Sequence, residues 1–163
     1  MMIKKYLFTI LILFFFNSAA FSAGNSNDSG GKKVTNYQSA YNSIKRAEKL
    51  EKKNKIKKAK KLYKKALKSL LKANEENPVD PDTFNYLGFT NRKLGNFVDA
   101  EIYYLLGLEI DPNHNSINEY LGELYVNTNR LDKAKERLKI LEKCNCEEFE
   151  ELKQVIKSGS SKY

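Results

Sequence analysis

Residues 81–114 read Pro-Asp-Thr-Phe-Asn-Tyr-Leu-Gly-Phe-Thr-Asn-Arg-Lys-Leu-Gly-Asn-Phe-Val-Asp-Ala-Glu-Ile-Tyr-Tyr-Leu-Leu-Gly-Leu-Glu-Ile-Asp-Pro-Asn-His, and this stretch decides the fold. Its Tyr86-Leu87-Gly88 recurs 34 residues later as Tyr120-Leu121-Gly122. The same step relates further positions: Ala66 to Ala100 and Ala134, and Pro78 to Pro112. A fixed period of about 20–50 residues indicates a repeat architecture, in which each unit buries its apolar face by stacking on its neighbours.

The spacing of apolar residues predicts helices throughout the chain beyond residue 36, because they recur three and four positions apart. The three prolines, at positions 78, 81 and 112, each fall at a predicted connection between helices. Gly95 follows Leu94 as a C-terminal glycine cap would. Gly88 and Ala100 are small enough to let two antiparallel helices approach closely. We therefore expect an all-α domain built as an antiparallel helix-hairpin solenoid.

Residues 81–114 resemble a tetratricopeptide repeat (TPR) at nearly every diagnostic position. The matching residues are Phe84, Leu87, Gly88, Gly95, Ala100, Tyr104 and Pro112. The departures are Asn91, where an aromatic residue is usual, and Gly107, where alanine is usual. Residues 115–148 resemble a second repeat, with Asn129 in place of the turn glycine. Residues 37–80 resemble a degenerate unit whose second helix is extended.

The resemblance implies about three TPR-like units followed by a C-terminal capping helix, which such stacks need for solubility. The capping helix is predicted over residues 149–157, with a tail over residues 158–163. The prediction rests on an apolar stripe with Glu and Lys on the opposite side; the stripe consists of Phe149, Leu152, Val155 and Ile156. A closer resemblance is to short exported proteobacterial TPR proteins of unassigned function. It rests on Tyr86-Leu87-Gly88-Phe89, Arg92-Lys93-Leu94-Gly95 and the stretch from Cys144-Asn145-Cys146 to Lys153.

The first 23 residues have the three-part layout of a secretory signal peptide. Lys4 and Lys5 precede an apolar run over residues 6–16, and small residues suited to cleavage follow, up to Ala23. The run is shorter than the about 20 residues that span a bilayer. We expect cleavage near Ala23, export to the periplasm of a Gram-negative bacterium, and a disordered leader over residues 24–36.

Charge is uneven along the chain. Residues 24–79 hold 16 Lys and Arg against five Asp and Glu, whereas residues 80–163 hold 11 against 15. A basic first hairpin can attract an anionic partner such as lipid head groups or an acidic protein. The other interpretation is a solvated helix surface, which the excess of Lys over Arg favours. No recognition motif supports binding of nucleic acid.

In TPR stacks the first helices of successive hairpins line a concave groove that holds peptide segments. The resemblance places seven residues on that groove: Asn85, Phe89, Arg92, Lys93, Glu119, Glu123 and Asn127. Asn side chains can pair with a peptide backbone, and Arg92 can clamp a carboxylate bidentately. Glu119 and Glu123 oppose capture of a C-terminal carboxylate, so the bound peptide would instead carry a basic residue. A structural tie between adjacent helices through Asn85 and Arg92 stays open.

Cys144 and Cys146 are the only cysteines, and an exported chain meets an oxidising compartment. A structural disulfide within or between chains, packed thiols, and redox or metal chemistry all stay open, although the two-residue spacing of thiol oxidoreductases is absent. The only histidine, His114, lies in the loop after Pro112, so we expect no metal site and no cofactor. No phosphate loop or nucleophile motif indicates an enzyme.

The sequence therefore predicts an exported module that binds a peptide segment or a partner protein of unknown identity in its groove. Two alternatives come from different features of the chain. The first is association with an anionic envelope surface through the Lys-rich first hairpin. The second is a thiol-dependent assembly factor that uses Cys144 and Cys146.

Overall fold

The computed structural model describes residues 34–160. Within that range it has seven α-helices and no strand, which confirms the predicted all-α class. They are α1 (Asn36–Glu51), α2 (Ile56–Glu76), α3 (Pro81–Leu94), α4 (Phe97–Ile110), α5 (Asn115–Asn127), α6 (Leu131–Leu141) and α7 (Glu147–Ser158). The predicted signal peptide, residues 24–33 of the predicted leader and residues 161–163 of the predicted tail lie outside the described residues.

The helices form three hairpins, in which α1 packs on α2, α3 on α4 and α5 on α6. Each following hairpin docks by its first helix, since α3 packs against α2 and α5 against α4. Helix α7 closes the stack by packing on α5 and α6. This arrangement confirms the expected helix-hairpin solenoid with a capping helix.

Turn chemistry sets where the helices end. Gly95 ends α3 with φ of 90°, a left-handed conformation that costs glycine little. Asn129, one repeat later, follows α5 with φ of 57°, and Asn54 occupies a similar left-handed turn between α1 and α2. Asparagine is one of the residues that tolerate this region. Asp80 caps α3 by accepting a hydrogen bond from the backbone N–H of Asp82, and Pro81 takes the first helical position.

The repeat glycines mark the closest helix contacts. A Cβ on Gly88 would collide with the ring of Tyr104, which is fully buried between α3 and α4. Gly122 is the equivalent residue in the next unit, and a Cβ there would meet the side chain of Leu152 in α7. The capping helix is therefore seated directly against the last repeat.

The stack has two distinct faces. Helices α1, α3 and α5 contact one another in order, and α7 contacts α5; we call the surface they form the first-helix face. Helices α2, α4 and α6 lie on the opposite side of each hairpin, and we call their outer surface the second-helix face.

Candidate functional site

Three of the predicted groove residues lie on one side of α3. Asn85, Phe89 and Arg92 are spaced four and three positions apart, so they follow one helix stripe. All three are buried in the described structure. The Phe89 ring packs between Tyr63 of α2, at 6.3 Å, and Tyr120 of α5, at 5.4 Å between ring centroids. This stripe therefore links all three hairpins.

Arg92 and Glu123 form an ion pair between α3 and α5. The Nη1 atom of Arg92 donates to Glu123 Oε2 at 2.6 Å, and both side chains are almost fully buried. The guanidinium also lies 5.4 Å from the ring centroid of Tyr120 and 5.8 Å from that of Phe89, within cation–π range. The structure thus shows the tie between adjacent helices for Arg92, whereas its contact with a peptide stays a prediction.

Lys93 points to the other neighbour of α3. Its Nζ atom lies 2.6 Å from Glu51 Oε2 at the end of α1, and the Tyr63 hydroxyl donates to the same oxygen at 3.0 Å. Burial and, to a smaller extent, Glu51 raise the pKa of Tyr63, so the phenol stays protonated as the donor. The two cations expected on the groove, Arg92 and Lys93, are therefore both bound to carboxylates.

Glu119 is buried one turn before Glu123 on α5. Burial, a hydrogen bond to Glu151 of α7 and the nearby carboxylates of Glu123 and Glu148 raise the pKa of Glu119 to about 9. The raised pKa favours the neutral form of the Glu119 carboxyl group near pH 7. The physical reason is that α7 brings a second carboxyl group against it. Asn127, the last residue of α5, is exposed.

A row of tyrosines on the first-helix face was not predicted from the sequence. Tyr37 and Tyr41 of α1 both meet Tyr86 of α3 edge-on, with ring centroids 5.8 and 5.7 Å apart. Tyr86 stands three residues before Phe89, whose ring contacts Tyr120. The signal was present in the repeat, because Tyr86 and Tyr120 occupy equivalent positions.

These tyrosines are partly exposed. Burial, Tyr41 and Asp82 raise the pKa of Tyr86 to about 12, and burial with Asp82 raises the pKa of Tyr37 further. A partly buried phenol offers a flat apolar surface and a hydrogen-bonding tip, which suits recognition of other chains.

Asn85 places a buried polar group beneath this surface. Within the described residues, the buried Oδ1 atom of Asn85 has no hydrogen-bond donor. A buried acceptor left without a donor costs about 1–3 kcal/mol, and a ligand N–H group would remove that cost.

Cys144 and Cys146 are joined by a disulfide within the chain, in the turn between α6 and α7. Asn145 between them adopts a left-handed conformation with φ of 49°, and Cys146 is the residue just before α7. The bridge lies at the N-terminal end of the capping helix.

His114 has a structural position. Its Nδ1 atom accepts from the Ile117 N–H and caps α5, and its Nε2 atom lies 3.1 Å from Asp82. Residues 34–160 contain no group of three or more His, Cys, Asp and Glu side chains arranged to hold a metal ion. Within the same range, none of the helices combines the length and apolar content that a bilayer crossing needs.

No protein-family model matches this chain, and no curated protein matches it. Among solved structures, it is similar to the first TPR of Spaghetti (RPAP3) bound to an HSP90 peptide, at 19% identity over 77% of this chain and 97% of that one, with a TM-score of 0.48. It is similar to the Arabidopsis OM64 TPR domain, at 14% identity over 76% and 98%, with a TM-score of 0.48.

A third similar structure is the Yersinia enterocolitica type III secretion chaperone SycD in complex with a peptide of the translocator YopD. The identity is 19% over 73% of this chain and 87% of that chain, with a TM-score of 0.48. Two of these three solved structures are TPR domains, and the third is a secretion chaperone in complex with a peptide.

Proposed function

We propose that this protein is a non-enzymatic interaction module that holds an extended segment of a partner protein along its first-helix face. The observation that carries the proposal is the tyrosine row, which runs from Tyr37 and Tyr41 through Tyr86 toward Phe89 and Tyr120. Tyrosine gives a large contact area at a small cost in conformational entropy, and it is enriched in binding interfaces.

Asn85 supports the same proposal through its unused acceptor. It lies on the stripe of Phe89 and Arg92, next to Tyr86 in the chain. An extended peptide presents backbone N–H groups at regular intervals, so one of them can donate to Asn85 Oδ1 once the side chains that cover this atom move aside, while the peptide side chains pack on the tyrosines.

The ion pairs narrow the kind of segment that fits. Arg92 and Lys93 are bound to Glu123 and Glu51, so a partner that needs a bidentate clamp on its C-terminal carboxylate would first have to break a buried pair. We therefore propose that the segment is internal and carries apolar or aromatic side chains. Export to the periplasm, supported by the layout of residues 1–23, is part of the proposal.

The test is affinity capture from an envelope extract with two variants of the chain. A groove variant carries Tyr37→Ser and Tyr41→Ser, which remove ring contacts at partly exposed positions. A matched control carries Val98→Ser and Leu105→Ser on the second-helix face, where the side chains are exposed. Far-ultraviolet circular dichroism verifies that both keep the native helical content.

We expect one defined protein to be retained by the native chain and by the control, and to be lost with the groove variant. Asn85→Ala is then expected to weaken its binding by about 1–3 kcal/mol relative to the native chain. Equal retention by all variants would contradict the proposal, as would equal loss from both faces.

A further inference from the structure

Helix α4 has an apolar side that the core does not use. Its inner side is buried through Ala100, Tyr104 and Leu108. Its outer side carries aliphatic residues that stay exposed: Val98 at 74%, Ile102 at 50%, Leu105 at 42%, Ile110 at 40% and Leu106 at 36%. The first three are spaced four and three positions apart, so they form one stripe, which we call the α4 stripe. Contiguous exposed apolar surface of this kind marks an interaction site.

The neighbouring helix of the second-helix face is strongly basic. Lys57, Lys61, Lys64, Lys68 and Lys72 are exposed and recur at spacings of four, three, four and four. They lie opposite the stripe that α2 buries, so they form a continuous row along the outside of the helix, which we call the lysine row.

The charge on this face is positive as a whole. Helix α6 carries exposed lysines at positions 133, 135 and 139 together with the exposed acidic residues Asp132 and Glu136. On α4 the exposed acidic residues are Asp99 in the first turn and Glu109 in the last turn. The exposed residues between them, Ile102, Leu105 and Leu106, are aliphatic and uncharged. The second-helix face therefore has an uncharged apolar centre, with the lysine row of α2 on one side and charges of both signs on α6 on the other.

We infer that the second-helix face docks on an anionic lipid bilayer surface. Ile102, Leu105 and Leu106 enter the boundary between head groups and acyl chains, while the lysine row faces the anionic head groups. Interfacial proteins combine these two features, and each lysine close to an anionic surface contributes about 1 kcal/mol. The inference does not depend on the proposed function, because it concerns the opposite face of the stack.

Charge argues against a second copy of this chain as the occupant. Packing α4 against its own copy would bring the basic α2 and α6 of one chain close to those of the other, and like charges repel. Residue type argues against an acidic protein. Tight protein interfaces are enriched in Trp, Tyr and Arg and depleted in Lys, whereas this face offers aliphatic side chains and lysines.

The experiment measures binding of the full chain, as recovered from the cell, to vesicles of phosphatidylcholine alone or mixed with phosphatidylglycerol. Mass spectrometry verifies that all variants share the same N-terminus. One variant carries Ile102→Ser and Leu105→Ser. A second carries Lys61→Gln, Lys64→Gln and Lys68→Gln. A matched control carries Val79→Ser, Lys153→Gln and Lys157→Gln, which are exposed residues outside this face.

We expect the native chain and the control to bind the anionic vesicles and to be released by added salt, which screens exposed charge. Each of the other variants is expected to bind about tenfold more weakly or worse. Equal binding to both vesicle types, an equal loss in the control, or unchanged binding of the Ile102→Ser, Leu105→Ser variant would overturn the inference. So would native binding to an acidic protein with none to vesicles.

Discussion

Arg92 of α3 and Glu123 of α5 face each other in the interior of the stack, with 2.6 Å between Nη1 and Oε2, so a buried ion pair joins the second hairpin to the third. Both residues stand on the sides of their helices that the repeat resemblance assigns to ligand binding. The pair ties adjacent units together, and in our proposal the tyrosine row beside it contacts the partner.

Arg92→Met is expected to destabilise the chain by about 3–5 kcal/mol, because it leaves the Glu123 carboxylate buried without its guanidinium partner. The double variant Arg92→Met, Glu123→Leu is expected to regain a large part of that loss, since no charge is then stranded. Urea unfolding of the native chain, both single variants and the double variant gives the coupling energy directly. Additive losses would mean that the two side chains act independently.

The raised pKa of Glu119 predicts that the free energy of unfolding falls as the pH rises. The folded chain holds a proton on this carboxyl group up to a pKa of about 9, whereas the unfolded chain releases it near 4.5. Between these values the folded state binds one proton more, so the free energy of unfolding decreases by about 1.4 kcal/mol per pH unit. Glu119→Gln keeps a hydrogen-bond donor for Glu151 and is expected to remove this slope.

Urea unfolding at mildly acidic and mildly alkaline pH measures that slope. The exposed Glu147→Gln is the control and is expected to keep the native pH dependence. A Glu119→Gln chain that still loses stability as steeply as the native one would show that another group carries the proton.

Gly122→Ala is expected to loosen the capping helix. The added methyl group meets Leu152, which is fully buried, and such overpacking costs about 1–3 kcal/mol. Amide hydrogen exchange is expected to rise first in α7. Gly159→Ala provides the comparison, because nothing lies near its Cβ position and only its positive φ opposes the change. Exchange that rises uniformly over all seven helices would argue against a local effect.

Removal of the disulfide is expected to have a small effect. Cys144 and Cys146 close a ring only two residues along the chain, so the unfolded state gains little freedom when the bond is absent. The Cys144→Ser, Cys146→Ser chain is expected to lose no more than about 2 kcal/mol and to keep its helical circular dichroism. If that folded variant fails to capture the partner, the result would favour a thiol-dependent assembly factor over binding along the first-helix face.

The hairpins could be predicted from the sequence because the residues that form the close helix contacts and turns recur in each unit. A step of 34 residues relates Gly88 to Gly122, Gly95 to Asn129, and the alanines of the second helices to one another. Similar units pack in the same way, so each of these positions requires a similar residue. Ala66 of the long α2 keeps the phase of Ala100 and Ala134, and it is buried in the same way.

The site was less predictable because its contacts cross between units or come from outside them. Glu151 belongs to the capping helix, so the raised pKa of Glu119 depends on how α7 is oriented, which no repeat position specifies. Tyr37 belongs to the degenerate unit, whose spacing departs from the 34-residue step, so the step does not relate Tyr37 to Tyr86. The apolar residues of α4 look like a core from composition alone, and only packing shows which side stays exposed.

The two layers of each hairpin have a consequence for how the proposed activities combine. First helices lie on one side and second helices on the other, so a chain that rests on lipid by its second helices presents its tyrosines to the solution. Capture would then take place within a plane. A partner held there would be confined to two dimensions, and its encounters with other components of that plane would become more frequent without any change in the affinity of the module itself.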